Sequence, residues 1–172
     1  KDPEKGYAKY LNVDTYVDWY VISEITKTND AALYTSCYMN IAPGGKLNMG
    51  PMWDYDICIG NSRWNGDGST DGYWNRHSPW FARMLEDPAF VQQVKERILY
   101  FKANLPAVLE RMDLNAEYVG LSVVEDNRLW EMLGPKETED GLVRSAFLQD
   151  VQGMKNWLTA RLDWLDQASF RD

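Results

Sequence analysis

"VDWYVISEITKTNDA" (Val17–Ala31) changes character near its end, and that change sets the fold class. Its first part belongs to a segment in which Val13, Tyr16, Val17, Tyr20, Val21 and Ile25 recur at helical spacing. The pattern predicts a helix over Thr15–Lys27 with one buried face and Asp14 as its N-cap. Glu24 falls on the same apolar stripe as Val17 and Tyr20. A carboxylate in that position either needs a buried partner or lies at the edge of the stripe and reaches solvent.

Beyond "TKTND" the period falls to two. Tyr34–Ile41 reads as a strand, Pro43-Gly44-Gly45 as a turn, and Lys46–Met49 as the returning arm of a hairpin. "GPMWDYDICIGN" (Gly50–Asn61) follows at once and reads as a further core strand, packing through Trp53, Ile57 and Ile59. Two carboxylates, Asp54 and Asp56, interrupt it. Asn61–Asn75 is a polar, Gly-rich loop of a length that is usually functional or mobile. Within it "NGDGSTDG" (Asn65–Gly72) alternates oxygen side chains as a calcium loop does, but lacks the Glu that would close one. A flexible loop is the preferred reading.

The rest is helical. Ser78-Pro79 and Asp87-Pro88 are N-cap and first-turn proline pairs that open "PWFARMLE" and "PAFVQQVKERILYFKANL". Pro106 is expected to break or kink the second of these. A further helix is expected over Ala116–Leu133, stopping at Gly134-Pro135, and "KETEDG" reads as a solvated linker. The last helix, about Leu142–Asp166, carries Leu148, Val151, Met154, Leu158, Leu162 and Leu165 on one face. The expected fold is therefore mainly α with a small β-hairpin (α+β), as a single domain over residues 1–172.

Composition narrows the function. The 172 residues carry 26 acidic and 18 basic side chains, a net charge of −8, with no basic cluster. That excludes duplex nucleic acid as an expected partner. No apolar run approaches a membrane span. Cys37 and Cys58 lack CxxC spacing and read as buried small hydrophobes, with a single bridge as the alternative. His77 is the only histidine, so there is no choice of base for a Ser/His or Cys/His system; its expected role is local structure before Ser78. The many Trp and Tyr fall mostly at core spacing rather than on a sugar-stacking platform.

The order of elements carries the chemistry. A helix, a loop with Asn29-Asp30, a hairpin and then Asp54-Tyr55-Asp56 follow one another, an order that protein kinases also use. Phosphoryl transfer needs one carboxylate to orient or deprotonate the attacking hydroxyl and another to hold the metal, and a returning hairpin would bring Asp30 and Asp54 together. The His-Arg-Asp triplet, the glycine of Asp-Phe-Gly and a Gly-rich phosphate loop are all missing from this chain.

Four stretches go further. "VDWYVISEITKTNDA", "YTSCYMNIAPGGKLNMGPMWDYDICIGN", "PWFARMLEDPAFVQQVKERI" and "VQGMKNWLTARLDWLD" resemble the spore-coat CotH kinase family in order and spacing, from about Asn12 onward. The resemblance implies the C-terminal helical lobe of an atypical protein-kinase-like fold. It implies Asp30 as the catalytic carboxylate, Asp54 as a magnesium ligand, and Asn29 and Glu24 as supporting residues. Asp56 is either a second metal ligand or a partner of backbone amides. The implied cofactors are ATP and Mg (or Mn), and the implied partners are nucleotide and a protein with a Ser or Thr acceptor. A nucleotide-embracing N-terminal lobe is expected outside this chain, leaving the piece alone with little or no transfer. Implied locations are a spore coat or an exported bacterial surface protein. The alternative is a non-catalytic coat or cell-surface module that binds protein or glycan on the same scaffold.

Overall fold

The computed structural model describes residues 2, 5–31, 33, 35–61 and 68–168. It is mainly helical with one small antiparallel sheet, as the sequence pattern predicts. Helix α1 spans Val13–Thr26. Its N-cap is Asn12 rather than Asp14, and the Asn12 side chain makes no capping bond. That amide is committed elsewhere, donating to Asn48 Oδ1 at 2.8 Å and so tying the helix start to the hairpin. Asp14 instead sits in the first turn, where the helix dipole favours a negative charge.

Nor is α1 buried on one face only. Tyr16, Val17, Trp19, Tyr20, Val21, Ser23, Glu24 and Ile25 are all buried. The helix runs through the middle of the molecule, and a helix surrounded in this way is apolar nearly all round. Phe81 stacks on Trp19 with ring centroids 5.7 Å apart and meets Tyr20 at 5.0 Å, and Phe90 closes on Tyr20 at 6.3 Å.

The hairpin is shorter than its alternation predicts. Strand β1 is Met39–Asn40 and β2 is Asn48–Met49, paired Met39↔Met49 and Asn40↔Asn48. Leu33 and Ser36 have φ of 62° and 54°, so the chain turns repeatedly before β1 and cannot run extended. Tyr34, the expected start of the strand, lies outside the described residues. The expected core strand over Gly50–Asn61 does not form either. Asp54 and Ile59 take φ of 63° and 51°, and Trp53 is 59% exposed instead of packed.

Helix α2 is Pro79–Met84, α3 is Pro88–Trp130 and α4 is Asp140–Gln167. Asp87 caps α3 as expected, accepting from Ala89 N at 3.1 Å, whereas Ser78 makes no side-chain cap for α2. Pro106 does not break α3, which absorbs the helix expected over Ala116–Leu133. Interior proline normally costs about 3 kcal/mol. Here Leu105, Val108 and Leu109 hold the chain on either side of it against the core. The helix ends at Glu131, its C-cap in the left-handed region (φ 54°), and the Asn127 side chain holds the turn beyond, accepting from Leu133 N at 2.7 Å and donating to the Gly134 carbonyl at 3.1 Å.

Helix α4 returns antiparallel to α3, with Lys102 on Asp163 and Asp166 at one end and Arg128 on Asp140 at the other. Leu158, Leu162 and Leu165 are buried as predicted. Leu148 and Met154 are exposed, because the α3–α4 pair extends past the core into solvent.

Arg161 of α4 is the partner that Glu24 requires. Both side chains are fully buried, with Nη2 2.9 Å from Oε1. The carboxylate also accepts from Trp74 N at 2.6 Å and Asn75 N at 2.8 Å. The guanidinium makes further bonds to the Glu24 carbonyl and to the carbonyls of Thr70 and Gly72. Burial pushes the carboxyl up from its ordinary value and the guanidinium down, and their mutual attraction opposes both. Removing one member of such a pair leaves a charge buried alone. Arg161→Met should therefore cost about 3–5 kcal/mol in denaturant unfolding. Lys102→Ala, on the exposed Asp163 and Asp166, should leave the midpoint close to the parent's. Equal losses in the two variants would contradict the account.

Candidate functional site

The end of α1 and the segment after the hairpin are joined by backbone hydrogen bonds. Asn29 N donates to the Ile57 carbonyl at 3.2 Å and Ile59 N to the Thr26 carbonyl at 2.7 Å. The two segments run antiparallel there, so Asp30 and Asp56 each follow or precede a bonded residue on facing strands of chain. Gly60 seals the far end. Its φ is +78°, and a Cβ would meet the Trp157 ring at 2.9 Å, so only glycine fits between this segment and α4.

Asp30 lies in a short 3-10 turn, Asn29–Ala31, directly after α1. It is half-buried, and its carbonyl accepts from Cys37 Sγ at 3.6 Å. Asp54 is exposed and held in the left-handed region, with Oδ2 accepting from Ser36 Oγ at 3.0 Å. Neighbouring residues Ser36 and Cys37 thus tie Asp54 and Asp30 to one stretch of chain. Asp56 is also exposed. Its carbonyl accepts from Asn61 Nδ2 at 3.0 Å, and among the described residues no backbone amide donates to its carboxylate.

Tyr55, between the two carboxylates, faces the other way. Its hydroxyl is 2.7 Å from Ser23 Oγ on α1, and burial pushes its pKa up to about 12 against the opposing pull of that bond. A half-buried tyrosine flanked by exposed aspartates turns the segment outward on both sides. Trp53 joins the exposed side, meeting Tyr38 edge-on at 6.4 Å.

A magnesium ion takes oxygen ligands, commonly one or two carboxylates completed by water and phosphate oxygens. Asp54, exposed and with one oxygen held by Ser36, suits that donor set. Among the described residues no three His, Cys, Asp or Glu gather as a closed metal cage.

The loop over Asn65–Gly72 has a different use. Residues 65–67 lie outside the described residues, but the carbonyls from 68 to 72 all accept hydrogen bonds. Gly68 takes Trp157 Nε1, Ser69 and Asp71 take Lys27 Nζ, and Thr70 and Gly72 take Arg161. Two side-chain cations occupy oxygens that a calcium ion would need, and this part of the loop is pinned.

Ser36 and Arg161 are the site-shaping residues that pattern reading missed. Arg161 had a signal: it lies beside Leu158, Leu162 and Leu165 on an apolar stripe, as Glu24 does on its own. Ser36 had none, because its role depends on a left-handed turn in a stretch that alternates like a strand.

The family model for CotH kinase protein matches residues 1–165. No curated protein and no solved structure matches the chain. No helix among the described residues is long and apolar enough to cross a membrane.

Both cysteines are free thiols beside this segment. Burial raises the Cys58 thiol to about 11, and its Sγ donates to the Tyr55 carbonyl at 2.7 Å; burial also raises half-buried Cys37. Thiolates react and thiols do not. At pH 8 a disulfide reagent should modify Cys37 slowly and Cys58 only after denaturant is added. Immediate modification of both, at the rate of a free thiol, would contradict this packing.

Proposed function

The chain belongs to the CotH kinase protein family, and we propose that it forms the helical part of an atypical, metal-dependent protein kinase. In this reading ATP is the phosphoryl donor and a Ser or Thr hydroxyl of a protein is the acceptor. Asp54, with Asp56 beside it, holds Mg or Mn. The metal supplies charge neutralisation on the phosphate oxygens.

The observation that carries the reading is the tether through Ser36 and Cys37, which attaches Asp54 and Asp30 to one stretch of chain. Asp30 is placed on a rigid turn at the end of a buried helix, suited to accept a hydrogen bond from an acceptor hydroxyl. Asn29 supports that turn through its amide on Ile57, and Glu24 supports it from inside by fixing α4 and the 70–75 segment against α1. Positioning and charge stabilisation supply most of the rate in phosphoryl transfer, so a rigid mount matters more than an unusual pKa. The exposed Tyr38–Trp53 pair favours a second reading, a coat or surface module that binds protein or glycan without transfer.

Transfer of labelled phosphate from ATP by the full-length protein separates the two. Asp30→Ala and Asp54→Asn should each lower labelling by about 10²-fold or more. Asparagine tolerates the left-handed region, so Asp54→Asn should keep the parent's melting behaviour while losing metal-dependent nucleotide binding. Full labelling in both variants, or none in the parent with Mg or Mn, would overturn the kinase reading.

A further inference from the structure

A cleft of about 690 Å³ opens between the Arg76-His77 segment, the end of α2 and the first turns of α3. Its floor is apolar, made by Ala82, Leu85, Pro88 and Val91, and its cations are Arg76 and Lys95, with His77 alongside. The chain as a whole carries −8, and its Arg83, Arg97, Lys102, Arg128, Lys155 and Arg161 are all in ion pairs. Arg76 and Lys95 are in none among the described residues. The one carboxylate of the cleft, Glu86, is already held by Arg83 at 2.5 Å, and Gln92 donates to Glu96. The uncompensated charge facing the cleft is therefore positive.

The cationic wall is also rigid. Arg76 lies over the Tyr73 ring at 4.9 Å, and the residues between them are anchored, Trp74 and Asn75 by their amides on Glu24 and Trp74 by its indole on the Thr28 carbonyl. Asn75 is wholly buried, and its side-chain oxygen and nitrogen have no partner among the described residues. On the opposite wall Pro88, Val91, Gln92 and Lys95 fall three, four and seven residues apart along one face of α3. That face is about 10 Å long, the length of about three residues of extended chain.

We propose that this cleft binds an acidic peptide segment, with alternate apolar side chains on the Leu85–Val91 floor and carboxylates on Arg76 and Lys95. A guanidinium held over the Tyr73 ring on one side and an ammonium on the other suit separated carboxylates, and the apolar floor gives such a peptide something a free anion lacks. Binding there needs no nucleotide, so its outcome does not depend on whether the protein transfers phosphate.

The test is fluorescence anisotropy with a labelled peptide of alternating Glu and Leu, against the same peptide with Gln for Glu. The acidic peptide should bind the chain, and replacing Glu by Gln should weaken it by roughly tenfold or more. Lys95→Glu, on an unpaired surface position of α3, should abolish binding without changing the melting curve, and added salt should weaken it. Arg76→Gln should weaken it as well; if that variant melts early, Lys95→Glu decides alone. Equal binding of the Gln peptide, or binding unchanged in Lys95→Glu, would overturn the proposal.

Discussion

The Glu24–Arg161 pair is the interaction on which the arrangement depends. It joins the last turn of α1 to the last turns of α4, residues far apart in sequence, and does so without water-exposed surface. Two buried ions are not in themselves a source of stability, since desolvation costs several kcal/mol per ion. What compensates here is saturation. The carboxylate takes two backbone amides as well as the guanidinium, and the guanidinium takes three different carbonyls. The pair therefore fixes backbone as well as helices: it holds the 70–75 segment, which then sets Trp74 against Thr28, one residue before Asn29. The turn carrying Asp30 is mounted on that frame.

Around this centre the chain separates what must be rigid from what must face outward. Lys27 ends α1 in a left-handed conformation and sends its ammonium into the carbonyls of Ser69 and Asp71. Tyr55 points inward to Ser23 while its neighbours Asp54 and Asp56 point outward. A left-handed aspartate costs about 1 kcal/mol or more relative to an ordinary conformation. Such strain persists where surrounding bonds fix it, and here Ser36, Asn29 and Thr26 do so. This is the kind of mount expected of a carboxylate that has to be presented rather than packed.

Much of this was legible in the sequence, and the failures have physical causes. Helix α1, the hairpin turn, the proline-opened helices and α4 follow from apolar spacing and turn residues, whereas of the expected side-chain caps only Asp87 forms. A buried partner for Glu24 was one of the two readings that its place on an apolar stripe left open, and the stripe could not name Arg161. Pattern reading failed where tertiary packing overrides local preference, as at Pro106, which α3 simply passes through. It also failed at "GPMWDYDICIGN", whose alternation resembles a strand while left-handed turns at Asp54 and Ile59 bend it away. The candidate carboxylates were proposed from element order and family resemblance. Their shared tether through Ser36 and Cys37 could not be, because left-handed turns in polar and apolar residues leave no periodic trace.

The central claim is that Asp54 presents a metal-binding carboxylate next to the turn that carries Asp30. Paramagnetic broadening by Mn²⁺ in amide NMR spectra of the chain tests it most directly, because the effect is local and registers weak binding. The account predicts that substoichiometric Mn²⁺ broadens the amides of Asp30, Ser36 and Asp54 first, and that Asp54→Asn abolishes this. Broadening centred elsewhere on the acidic surface, or a pattern unchanged in Asp54→Asn, would contradict it.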